Sequence, residues 1–77
     1  MSIIRKISIG NDLLNAMHFQ VGKPAMGGTA EICNILKNDD GSHDVWVQRV
    51  VDDIPEVIMW KSIGATVAVS IEYSLDF

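Results

Sequence analysis

TVAVSIEYSLDF, residues 66–77, alternates along its whole length. Val67, Val69, Ile71, Tyr73, Leu75 and Phe77 fall on one side, and Ala68, Ser70, Glu72, Ser74 and Asp76 on the other. Period-two alternation describes a strand with one buried and one wet face. It runs to the final residue, so the chain is expected to end inside a sheet.

Upstream, the same pattern recurs in shorter pieces. Ile3 to Ile9 reads as a first strand, with Ile3, Arg5, Ile7 and Ile9 on one side and Ile4, Lys6 and Ser8 on the other. Gly10-Asn11-Asp12 ends it by turn chemistry. Asp12 is placed to cap one helical turn over Leu13 to Ala16, a segment too short for an independent helix, and the sequence leaves helical and extended readings open. His18 to Val21 is a second short strand, closed by the turn-forming stretch Gly22 to Gly28. In Thr29 to Lys37 both faces carry apolar residues, so both are expected to be partly covered. Asn38-Asp39-Asp40-Gly41-Ser42 has the composition of a hairpin loop. His43 to Val51 is its return strand, with His43 facing solvent. Asp52-Asp53-Ile54-Pro55 is read as a turn and Glu56 to Lys61 as a strand, with Pro55 where no ladder donor is needed. Gly64 separates this strand from the last. The expected fold is all-β: one domain over residues 1–77, a small antiparallel barrel or half-barrel of five to six short strands joined as a meander.

At 77 residues the chain hides only about 60–65% of the surface its unfolded form exposes. A hydrophobic content of 48% is more than so small a core conceals, and a homo-oligomer is expected on that ground. Six basic and ten acidic residues give a net charge of −4, which argues against general nucleic-acid binding. Cys33 is the single cysteine, so no intrachain disulfide forms and a cytoplasmic setting is expected. MSIIRKISIG holds no apolar stretch of signal length. The longest aliphatic or aromatic run, Val57 to Trp60, falls far short of the roughly twenty residues a membrane span needs, so neither export nor a membrane is expected.

No spacing amounts to a catalytic or metal-binding signature. His18, Cys33 and His43 are far apart and show no paired zinc-site pattern, so no metal and no cofactor are expected. Cys33 lies mid-strand, where a free cysteine acts as a small core side chain. The carboxylates at Asp39 and Asp40, and at Asp52 and Asp53, sit in solvated turns with no cavity to shift their protonation. The chain is therefore expected to act without catalysis. Val21 to Thr29 has the greatest potential as a binding element. Gly27 and Gly28 permit close backbone approach to an anion, Lys23 supplies charge and Thr29 a hydroxyl. The stretch lacks the lysine-serine/threonine ending of a nucleotide-binding P-loop, and a plain glycine-rich bend joining two strands is the favoured reading of it. Trp46 near Arg49, and Trp60 beside Lys61, offer stacking surfaces next to cations; filling the core is the competing role for both rings.

IRKISIGND at the start, AMHFQVGKPAMGG in the middle and VSIEYSLDF at the end resemble a family of very small accessory proteins of T-even-like bacteriophages. The resemblance spans nearly the whole chain. It implies a protein made in the infected bacterial cytoplasm, dispensable for the virion and directed against a host process. A domain with so little interior suits binding better than chemistry, and two partners compete. One is a small nucleotide defence signal, sequestered through Lys23, Gly27, Gly28, Thr29, Trp46, Arg49, Trp60 and Lys61. The other is a host protein, engaged through a sheet edge or apolar face.

Overall fold

A computed structural model describes residues 2–10 and 17–75. Within them the chain is all-β: β1 (Ser2–Ile9), β2 (Met17–Gln20), β3 (Pro24–Ala25), a single 3₁₀ turn (Met26–Gly28), β4 (Ala30–Lys37), β5 (His43–Val51), β6 (Ile54–Ile63) and β7 (Val69–Leu75). The expected turn after Asp12 and the last two residues lie outside the described residues.

Two antiparallel sheets form, one in the order β2-β1-β7 and the other in the order β3-β4-β5-β6. The corner Val21–Lys23 stitches them together. Val21 N–H donates to the Arg5 carbonyl (2.9 Å), Gly22 N–H to the Ile32 carbonyl (2.8 Å), and Ile32 N–H to the Lys23 carbonyl (3.0 Å). Gly22, at φ +93, takes a left-handed conformation at this corner that a side chain would resist. The strands thus curl into a half-barrel, with β6 and β7 bordering the open side. Pro24–Ala25, read as turn from sequence, is a two-residue strand, because Ala25 pairs with Ala30 and turns its methyl into the core.

The core is aliphatic. Ile7, Val45 and Val47 are fully buried, and Ile4, Phe19, Ala25, Ala30, Ile32, Ile35 and Ile63 close around them. Three bulges decide which residues face inward, each opposing two residues of one strand to one of its partner. In β1 the pairing passes from Ile4↔Tyr73 to Lys6↔Glu72, leaving Arg5 as the extra residue. Ile4 and Ile7 therefore both face the core, while Ile3 is 41% exposed, and the expected grouping of Ile3 with Ile7 is corrected. In β4 the extra residue is Cys33, between Ile32↔Val47 and Asn34↔Trp46. The inward phase passes from Ala30 and Ile32 to Ile35, which is why both faces of this strand look apolar in sequence. In β6 it is Trp60, between Met59↔Trp46 and Lys61↔Val45.

His43 departs from expectation as well. It pairs with Lys37 and Ile63, stands on the same face as Val45 and Val47, and is only 4% exposed. Its Nε2 has no hydrogen-bond partner among the described residues. The β5–β6 turn is tighter than the sequence suggests. Val51 pairs with Ile54, so the loop is Asp52-Asp53 alone, and both aspartates have positive φ (51° and 65°), as a type I′ hairpin requires. Ile54 and Pro55 belong to β6.

Candidate functional groove

A groove of about 600 Å³ opens between the glycine-rich loop and the far ends of β4, β5 and β6. Cross-strand pairing builds its floor. Pro24 opposes Glu31, Glu31 opposes Gln48, and Val50 opposes Pro55, so side chains from four strands meet in one patch. Gly22, Gly28, Thr29, Ala30 and Arg49 complete the lining.

Backbone conformation shapes the loop wall. Met26, Gly27 and Gly28 all have positive φ (52°, 68° and 90°). The two glycines adopt this freely, but a left-handed residue with a side chain costs roughly 1–2 kcal/mol. Met26 bears that cost while packing against the core cluster, and Thr29 locks the turn. Its N–H donates to the Met26 carbonyl at 3.3 Å and its hydroxyl donates to the same oxygen at 2.7 Å. The Thr29 hydroxyl, expected to meet an anion, is thus engaged in holding the loop.

Arg49 donates through Nε to Glu56 Oε1, and the two form an ion pair across the β5–β6 ladder. One of the five guanidinium donors is engaged in this bond, and the carboxylate holds the planar group against the β5–β6 ladder, on the face of β5 that carries Val45 and Val47. At this end Arg49 and Lys23 stand against Glu31, Glu56 and the turn residues Asp52 and Asp53.

The structure brings Gly28, Thr29 and Arg49 of the sequence-derived set together in the groove. Lys23 is exposed between the lining residues Gly22 and Pro24, and Gly27 adjoins the lining residue Gly28. The other three residues stand elsewhere. Trp60 meets Phe19 edge to face, with ring centroids 5.6 Å apart, and Lys61 Nζ lies 5.3 Å above the Trp60 ring. Trp46 is half-buried and pairs with Asn34 and Met59, its Nε1 without a hydrogen-bond partner among the described residues.

Glu31, Gln48, Val50 and Pro55 were not legible as groove residues, since only the strand register assembles them. One further polar contact was also hidden. Ser8 and His18 oppose each other across β1 and β2, with Ser8 Oγ 2.7 Å from His18 Nδ1. The contact is exposed. Among the described residues no group of three His, Cys, Asp or Glu side chains is placed to hold a metal ion, and no helix is long and apolar enough to cross a membrane. No family model matches the chain, and neither a curated protein nor a solved structure is significantly similar to it.

Proposed function

We propose that this protein is a non-enzymatic binder that captures a small nucleotide in the groove, as a phage accessory protein that removes a host defence signal. The observation that carries the reading is the meeting of the Gly22–Thr29 loop with Arg49 in one cavity whose volume falls in the usual range for small-molecule sites, about 300–1,000 Å³. Arg49 is oriented by Glu56 and retains terminal N–H donors for phosphate oxygens, with Lys23 at the rim as a second cation. Glu31 and Gln48 supply acceptors for ribose hydroxyl or base amino groups, while Pro24, Val50 and Pro55 form apolar walls. The resemblance to T-even-like phage accessory proteins supplies the setting.

Equilibrium titration of labelled cyclic and linear nucleotides against wild type, Lys23→Ala and Arg49→Ala tests this reading. Loss of one or two charge-assisted phosphate contacts weakens capture by tenfold or more, at about 1.5–3 kcal/mol each. Unchanged capture in both variants would overturn the placement. Recovery of chemically unaltered nucleotide after denaturation is expected of a binder, whereas a hydrolysed product would indicate an enzyme.

A second reading has its own observation. Val50, Val51 and Ile54, at the tip of the β5–β6 hairpin, are all exposed. An apolar tip of this kind suits a host protein, and its mark is a host partner that co-purifies with wild type and is lost from Ile54→Asp while nucleotides have no effect.

A further inference from the structure

Among the described residues β6 is an edge strand that pairs with β5 alone, and its backbone phase follows from two independent features. Asp52-Asp53 is a two-residue loop, so its closing pair Val51↔Ile54 exchanges hydrogen bonds and every second pair thereafter does likewise. Pro55, which has no N–H, falls on the alternate positions, as it must. Ile54, Glu56 and Ile58 therefore bond to β5, and Val57 and Met59 direct their N–H and C=O groups outward. The side chains of these two residues are exposed as well, at 59% and 49%. A strand that offers both free ladder groups and apolar side chains is a template for another strand.

We propose that the occupant is β6 of a second copy of this chain, paired antiparallel about a two-fold axis at Ile58, with Val57 of each copy opposite Met59 of the other. Three observations select this arrangement. Acidic residues gather at the start of β6, at Asp52, Asp53 and Glu56, and Lys61 stands near its end, so antiparallel pairing lays each acidic end beside the other copy's lysine while parallel pairing opposes like charges. The register centred on Ile58 lets Val57 and Met59 exchange a full set of hydrogen bonds. A shift one way sets Pro55, which has no donor, against Met59, and a shift the other way sets Val57 against Lys61 across the Trp60 bulge. Of the other strands that end a sheet, β2 and β3 are short, at four and two residues, and β7 is less suited, since one of its faces carries Ser70, Glu72 and Ser74. The dimer rests on β6 alone and is independent of what the groove binds.

Sedimentation velocity over a concentration series tests the proposal. Wild type is expected to be a reversible dimer. Met59→Pro removes an outward N–H without touching the β5–β6 ladder, so it raises the dimer dissociation constant by about tenfold or more through two lost hydrogen bonds while the circular dichroism of the fold is retained. Val57→Lys likewise yields monomer, and serves if the proline variant fails to fold. Adding Met59→Glu to Val57→Lys restores the dimer, because the two-fold axis sets position 57 against position 59. A wild type that stays monomeric up to NMR concentrations, a dimer that ignores both single changes, or a double variant that stays monomeric would each overturn the proposal. In the second case the association surface lies elsewhere, at β7 or the hairpin tip.

Discussion

Truncating Ile4 and Ile3 separately tests whether the bulge at Arg5 sets the face of β1. Simple alternation groups Ile3 with Ile7, whereas the bulge puts Ile4 inward at 9% exposure and leaves Ile3 41% exposed. Ile→Ala removes three carbons, worth about 0.8 kcal/mol each when buried. For Ile4 this gives about 2.2 kcal/mol, and incomplete collapse of the cavity raises the cost to roughly 3–4 kcal/mol. For Ile3 the buried fraction scales the same quantity to about 1.4 kcal/mol, with no enclosed cavity to add. At roughly 0.05–0.15 kcal/mol per residue the whole domain holds only about 4–12 kcal/mol, so the Ile4 loss is a large share of it. In a domain this small each kcal/mol shifts the melting temperature by about 4–8 °C. Ile4→Ala is therefore expected to melt more than about 10 °C below wild type, and Ile3→Ala within about 10 °C of it. Urea denaturation of both variants, with m-values compared, supplies the free energies. Equal losses, or a larger loss for Ile3→Ala, would refute the inward phase of β1.

Three further outcomes follow from particular residues. His43 is buried in the core and its Nε2 has no partner among the described residues, so His43→Leu is expected to raise stability by about 1 kcal/mol, where most core changes lower it; a loss above about 2 kcal/mol in chemical denaturation would show that the ring nitrogen is satisfied. The Asp40 carboxylate accepts from the Ser42 hydroxyl (2.6 Å) and the Ser42 backbone N–H (2.8 Å), which hold it below the usual carboxylate range. Because the folded value is the depressed one, this loop contact is present above about pH 4 and is lost as pH falls through the folded value. NMR titration of the Asp40 carboxyl is expected to show the depression, with Ser42→Ala raising it toward the ordinary value, and no change in that variant would contradict the cause. Gly22 has open space where a Cβ would stand but a φ of +93, so Gly22→Ala is expected to cost about 1 kcal/mol in thermal melts through backbone strain alone, and a neutral result would mean that the corner relaxes.

The parts of the fold that were legible in the sequence are those set by neighbours along the chain. Alternation located six of the seven strands, and the Asn38–Ser42 composition located the β4–β5 loop, whose Asn38 N–H donates to the Ser42 carbonyl at 2.8 Å. What escaped is set by neighbours across the sheet. A bulge is a slip between two strands, so Arg5, Cys33 and Trp60 carry no local mark of it, yet each changes which side chains beyond it turn inward. His43 was misread for a related reason. Its position beside a polar loop suggests solvent, but its pairing with Ile63 puts it on the core face. The groove divides along the same line. Gly28, Thr29 and Arg49 stood out by residue type, whereas Glu31, Gln48 and Pro55 join them only through register. Trp60 beside Lys61 read as a platform for a base; in the fold the ring meets Phe19 edge to face and the Lys61 ammonium lies over it.

The most direct test of nucleotide capture is the melting temperature of the purified protein against a panel of cyclic and linear nucleotides. Ligand at a hundredfold over its dissociation constant adds about 2.7 kcal/mol. In a domain of this size that is a rise on the order of ten degrees. Such a rise is expected with at least one nucleotide, and its loss in Arg49→Ala. A flat panel for wild type would contradict capture, and a rise that survives in Arg49→Ala would contradict the groove as its site.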